Sequence, residues 1–148
     1  MATNKKGYMK QWLSKFDGYY VYVIKDLQGN IVYTGKTGNW YSRLSNHTSR
    51  NVDTTKDFIK QGNYTIQYLD ITNDINSDME LKYLENFLIE LYEPPLNDIK
   101  NIIRGLDKFR MLELVTMVHS RIDWITYCRC VDGKKTKNKL MKALSGKK

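Results

Sequence analysis

Residues 18–47 read GYYVYVIKDLQGNIVYTGKTGNWYSRLSNH. Residues 19–24 and 31–34 are β-branched and aromatic, and Asp26, Gln28, Gly29 and Asn30 between them are turn formers. That is the pattern of a β-hairpin centred near residue 28. Alternation along a strand puts Tyr20, Tyr22 and Ile24 on one face. Hairpin pairing then sets Tyr22 and Tyr33, eleven positions apart, close across the ladder. Gly35 and Gly38 break the second strand. Asn39 is suited to cap a helix on which Arg43 and His47, four positions apart, share a face.

The whole chain has 148 residues, 41% hydrophobic and 27% charged, a globular composition sufficient for one domain with an appendage. No apolar run is long enough to span a bilayer. The segment MATNKKGYMKQW lacks the apolar core of a signal peptide. Cys128 and Cys130 are the only cysteines and lie too close together to staple a fold, which suits a reducing, cytoplasmic setting. The net charge is +8, and the last twenty residues carry Arg129 and seven lysines against Asp132 alone, so +7 of it falls there. A cationic tail on a near-neutral body is either a solvated tail or a footprint for a polyanion contacted through its phosphates.

Outward from the hairpin, Tyr8, Trp12, Leu13 and Phe16 suggest a short amphipathic helix over residues 8–16. Residues 50–63 read as a polar loop with one helical stretch around Phe58-Ile59. Tyr64 to Ile71 alternates as a third strand, Thr72 to Ser77 turns, and a helix from Asp78 to Tyr92 ends before Pro94-Pro95. Asp98 to Arg104 supports a turn or two of helix. Residues 107–127 read as one long helix, or two broken near Ser120, with Phe109, Leu112, Val115, Met117, Val118, Ile122 and Ile125 supplying apolar positions. Leu140, Met141 and Leu144 are the apolar residues of the tail.

Within the helix 78–92 the apolar stripe runs Leu81, Leu84, Leu88, Leu91, and Glu85 falls inside it, whereas Glu90 falls on the opposite face. A carboxylate on a buried face is costly unless it is paired or binds a metal; the alternative is an edge residue that snorkels to water. One carboxylate suits Mg²⁺, which keeps most of its waters and accepts phosphate oxygens. On residue type alone, Arg43 reads as an exposed helix arginine, Tyr22 and Tyr33 as strand aromatics, His47 as structural, and Asn97 as a polar residue after a helix stop.

Taken in order, Tyr22 in Y-V-Y, Tyr33-Thr34-Gly35, Arg43, His47, Glu85 and Asn97 resemble the GIY-YIG endonucleases over about residues 18–97. Tyr20 stands where that family usually has Gly, and Thr34 where it usually has Ile. The resemblance implies an α/β (α+β) fold, a three-stranded antiparallel sheet flanked by helices over residues 1–98, here followed by a helical extension (99–131) and a basic tail (132–148). It implies a divalent-metal-dependent DNA endonuclease with one Mg²⁺ on Glu85, for which Mn²⁺ can substitute. Arg43 is then the clamp on the phosphate, Tyr22 the base that takes a proton from water, Tyr33 a hydroxyl that holds water or phosphate, and His47 a donor or proton shuttle. Asn97 orders the site. Lys36, Asn97, Lys134, Lys135, Lys137, Lys139 and Lys142 are the expected DNA-binding residues.

The expected partner is DNA, with no membrane, no small-molecule cofactor, and either a monomer or a homodimer. The small size suits a compact phage or mobile-element nuclease. A binding protein without catalysis, or a repair or RNA nuclease on the same scaffold, are the alternatives. Two other motifs fail. Cys128-x-Cys130 lacks further zinc ligands beyond His47 and His119. Gly35-Lys36-Thr37-Gly38 lacks the upstream glycine of a phosphate-binding loop.

Overall fold

The computed structural model describes residues 18–98 and 107–137. The helix expected over 8–16, the turn or two expected at 98–104 (beyond Asp98), and Lys139 and Lys142 of the tail lie outside those residues.

The opening hairpin forms as its residues dictate. Strand β1 (Tyr20–Lys25) pairs antiparallel with β2 (Ile31–Thr37). Asp26 organises the turn: its Oδ1 accepts from Gln28 N at 3.0 Å and Asn30 N at 2.9 Å. β2 continues through Gly35 and Lys36 to Thr37, where the glycines suggested a break, because β1 offers partners out to Tyr20↔Thr37. Helix α1 (Trp40–Thr48) starts at Asn39, whose Oδ1 accepts from Ser42 N at 3.1 Å. A short helix α2 (Lys56–Lys60) and strand β3 (Tyr64–Asp70) follow, with β3 pairing on the other side of β1. Helix α3 (Asp78–Tyr92) is capped by Ser77 Oγ, which accepts from Glu80 N, and ends where Glu93 turns to φ 47° before Pro94.

The C-terminal part departs from expectation. Helix α4 (Lys108–Ser120) is followed by strand β4 (Ile125–Val131) and by β5 (Lys134–Lys137). The sheet therefore has five strands, not three, in the order β2-β1-β3-β4-β5. The supposed helical extension is a helix followed by a strand, and the first lysines of the supposed tail are an edge strand. Asp132 (φ 50°) and Gly133 (φ 80°) form the two-residue turn between Val131 and Lys134. Both residues have positive φ there, the reason Asp-Gly favours this hairpin. The alternation of β4 was obscured by a register irregularity opposite Ile66/Gln67, which sends Tyr127 and the adjacent Cys128 both inward.

Two cores lie on either side of the sheet. On one face Tyr20, Tyr22, Ile24, Ile66 and Tyr68 pack against Trp40, Leu44 and Ile59; Trp40 stacks on Tyr68 with ring centroids 4.9 Å apart. On the other, Val21, Leu69 and Ile71 pack under Leu81, Leu84, Leu88, Met111, Leu114 and Val118. The buried face of α4 is thus Met111, Leu114 and Val118, and Phe109 and Leu112 point to solvent, as does Leu91 of α3. No helix among the described residues is long and apolar enough to cross a membrane.

Arginines pin α4 to the loop before α3. Arg110 donates from Nε to Glu80 Oε2 at 3.0 Å and from Nη2 to Glu80 Oε1 at 2.8 Å and to the Asp74 carbonyl at 2.7 Å. Glu80 is buried, its side chain only 8% exposed, so its charge depends on that fork. Replacing Arg110 with Ala strands a buried carboxylate and is expected to cost about 3 kcal/mol in a urea unfolding titration. A loss below about 0.5 kcal/mol would show that Glu80 is satisfied by solvent instead.

Candidate active site

The site forms where β1, β2, α1 and α3 meet. Tyr22 and Tyr33 come together, but not directly opposite. The register pairs Tyr22 with Gly35 and Tyr33 with Ile24, so the tyrosines are diagonal neighbours with ring centroids 6.1 Å apart. Tyr22 lies over Gly35: a Cβ there would stand 2.4 Å from the Tyr22 hydroxyl and 2.5 Å from Cζ. Glycine is required at that position by close approach.

The i, i+4 spacing on α1 delivers Arg43 and His47 to Tyr22. Arg43 Nε donates to Tyr22 Oη at 3.0 Å, and His47 Nε2 lies 2.9 Å from the same oxygen. His47 also meets the Tyr33 ring edge-on, with centroids 5.2 Å apart. Its second nitrogen, Nδ1, is 2.8 Å from Thr55 Oγ1. Tyr22, His47 and Thr55 are all fully buried.

Burial sets the electrostatics. It pushes the Tyr22 phenol far above its ordinary range, with Tyr33 adding to the rise and Arg43 opposing it. It pushes the His47 imidazole down to about 3, with the Arg43 charge as the second cause. His47 is therefore neutral at pH 7, and its ring links Tyr22 to Thr55 by hydrogen bonds. Arg43 remains the cation of the cluster.

Glu85 reaches the site from α3. Its Oε2 accepts from Lys36 N at 2.9 Å. Burial raises its pKa, while Lys36 and then Arg43 hold it down. That the Arg43 charge acts on Glu85 brings the two halves of the site, one on α1 and one on α3, within electrostatic reach. Asn97 clamps β2 from the same side: its Oδ1 accepts from Thr34 N and its Nδ2 donates to Thr34 O, both at 2.9 Å.

Among the described residues no group of three or more His, Cys, Asp or Glu side chains gathers to enclose a metal. Glu85 supplies one desolvated carboxylate whose Oε1 is the oxygen that Lys36 N–H does not engage. A lone hard oxygen donor fits Mg²⁺ completed by water and phosphate oxygens, and does not fit zinc.

Lys134 and Lys135 sit apart from this cluster, on β5 at the opposite edge of the sheet. Lys134 is exposed, and Lys135 Nζ donates to the Thr48 carbonyl at the end of α1 at 3.4 Å. Lys137 ends β5. Two threonines escaped the reading of the sequence. Thr34 Oγ1 donates to Tyr22 O at 3.0 Å, and Thr55 meets His47. Nothing in the polar stretch 50–63 marked Thr55 out except its suitability as a helix cap.

A family model described as the GIY-YIG catalytic domain matches residues 18–100. The chain belongs to the GIY-YIG family. UvrABC system protein C of Chlamydia trachomatis (serovar D) is 33% identical over 79 residues, and the protein of the same name from Chlamydia muridarum is 34% identical over 79 residues. These matches cover 52% of this chain but only 12% of the length of those relatives. Among solved structures, the GIY-YIG N-terminal endonuclease domain of UvrC from Thermotoga maritima bound to magnesium is 20% identical, with a TM-score of 0.44, covering 65% of this chain and all of that one.

In this GIY-YIG chain the His47 ring resonances are expected to show no titration between about pH 8 and pH 5, where an ordinary histidine changes state near 6.5. Because the unfolded chain binds the proton that folded His47 refuses, the His47 contribution to stability is present above about pH 6.5 and declines as pH falls toward 3. A midpoint near 6.5 in the folded protein would contradict the burial argument.

Proposed function

We propose that the chain is a divalent-metal-dependent endonuclease that hydrolyses phosphodiester bonds of DNA. The observation that carries this reading is the convergence on one site of a half-buried carboxylate, Glu85, and the linked trio Arg43–Tyr22–His47. A protein that only binds nucleic acid has no need of a partly desolvated carboxylate within electrostatic reach of a half-buried arginine, since both cost stability.

When bound at Glu85, a Mg²⁺ ion, with Mn²⁺ an acceptable substitute, supplies Lewis acidity toward the phosphate and screens charge on the leaving oxygen. The remaining roles belong to side chains. Arg43 presents its guanidinium to the phosphate as negative charge accumulates, while its Nε–H fixes the Tyr22 hydroxyl. A phenolate at Tyr22 is opposed by burial, so Tyr22 acts as a relay: it accepts a proton from the attacking water as its own proton passes to His47 Nε2. The water oxygen bonds to phosphorus, the bond to the leaving oxygen breaks, and that oxygen takes a proton from solvent. His47, a weak base in this setting, passes its proton back through Tyr22 to solvent, replacing the one the leaving oxygen took up. Tyr33 holds the water or a phosphate oxygen, and Asn97 keeps β2 in position.

Lys36 beside the site and the basic edge around Lys134, Lys135 and Lys137, continuing to Lys139 and Lys142, supply phosphate contacts and a steep dependence of affinity on salt. A single site cuts a single strand, so a monomer nicks and a double-strand break requires a homodimer or two events. A compact phage or mobile-element nuclease fits the chain's size; a repair role is the second reading, favoured by the relatives named UvrABC system protein C.

On supercoiled plasmid the protein is expected to produce nicked circles with Mg²⁺ or Mn²⁺ and none with EDTA. Arg43→Ala should lower kcat by about a hundred- to a thousandfold while retaining most DNA affinity. Equal cleavage in EDTA, or unchanged cleavage by Arg43→Ala, would overturn the proposal.

A further inference from the structure

Thr55 occupies the N-cap position of α2, a place where a threonine hydroxyl ordinarily accepts from a backbone N–H of the first turn. Here it makes no such cap. Its side chain is fully buried and turned toward α1, with Oγ1 at 2.8 Å from His47 Nδ1 and 3.5 Å from the Val52 carbonyl. A favoured local bond has been given up for a longer-range one, eight residues back along the chain.

The proton inventory around this contact has two solutions, one for each tautomer of neutral His47, and the nearby Val52 carbonyl favours the first. A carbonyl only accepts, so the Thr55 hydroxyl can donate to Val52 O, a long 3.5 Å contact to an oxygen that also takes Thr55 N and Lys56 N, and Oγ1 then accepts from His47 Nδ1–H. Neutral His47 carries one ring proton, so Nε2 is bare and accepts the Tyr22 hydroxyl proton. Arg43 Nε can only donate, and it already points a proton at Tyr22 Oη. Tyr22 therefore cannot send its own proton toward Arg43. In the opposite tautomer, Nε2–H and Arg43 Nε–H both point at Oη, and the Tyr22 proton is left to face Tyr33 or the incoming water.

We propose that Thr55 is a positioning residue that selects the Nδ1–H tautomer of His47 and thereby turns the Tyr22 hydroxyl proton away from the reacting water. Thr55 touches neither substrate nor reacting atoms; it acts through His47. The inference rests on the nuclease reading for its consequence in catalysis, but the tautomer itself is a property of the folded protein.

The test begins with long-range ¹H–¹⁵N correlation spectra of the full chain, which report the tautomer without any substrate. Wild-type His47 is expected to show a protonated Nδ1 and a bare Nε2; the reverse assignment overturns the proposal before any variant is made. Thr55→Val, which keeps the shape and removes the hydroxyl, is expected to shift the ring toward the Nε2–H tautomer. On plasmid its kcat should fall by about ten- to a hundredfold, with DNA affinity unchanged. Thr55→Ser keeps the oxygen and should restore both the spectrum and kcat to within about threefold. If Thr55→Val retains the wild-type tautomer and kcat, the proposal fails. If Thr55→Val does not fold, the wild-type spectrum with that of Thr55→Ser decides the matter. Should the wild type cleave no DNA, the nuclease reading fails on its own, and the spectra still decide what Thr55 does.

Discussion

The arrangement depends on how the free edge of β2 is sealed. As the outer strand of the sheet, β2 presents Val32 O, Thr34 N, Thr34 O and Lys36 N away from β1, groups that would otherwise need water or another strand. The segment from α3 to Asn97 meets all four: Leu96 N donates to Val32 O, the Asn97 amide takes both groups of Thr34, and Glu85 accepts from Lys36 N. Two of the residues that close this edge are therefore also site residues. Glu85 is held by the Lys36 N–H through one carboxylate oxygen, and Oε1 is the oxygen that bond does not engage. The same docking fixes Gly35 between its neighbours, and Gly35 is where the Tyr22 ring must pass.

Burial then divides the labour among the side chains. It denies charge to Tyr22 and His47 and leaves Arg43, together with the partly exposed Lys36, to provide positive charge. A phenol that resists ionisation is a poor base by itself, yet a good proton conduit when one neighbour donates to it and another accepts. Arg43 and His47, one turn apart on α1, provide those two neighbours. The site is thus organised by hydrogen-bond direction as much as by charge.

The elements that build this site were legible because each carries its own local signal: the turn formers of residues 26–30, Asn39 as a cap, and Ser77 and Pro94 bracketing α3. Glu85 stood out by interrupting a leucine stripe, and its partial exposure and the bond from Lys36 N explain why that interruption is tolerated. The sheet's far side was not legible. The Asp132-Gly133 turn was a hairpin signal, but apolar residues continue from α4 through the break near Ser120 into β4, and the irregularity opposite Ile66/Gln67 removes the alternation that would have identified a strand. Tyr22 and Tyr33 were expected close across the ladder, and they are, as diagonal neighbours in a register that pairs Tyr22 with Gly35. Thr55 was hidden for a different reason: its importance lies in a single contact between a loop and a helix, which no periodicity encodes.

Glu85→Gln separates the structural work of this carboxylate from its chemical work. The amide oxygen of glutamine can still accept from Lys36 N, so the edge of β2 remains sealed and the thermal unfolding midpoint should stay within a few degrees of wild type. The charge that would hold a cation is gone, and metal-stimulated nicking of supercoiled plasmid should fall by about a hundredfold or more. A folded Glu85→Gln protein that nicks at the wild-type rate would contradict the account.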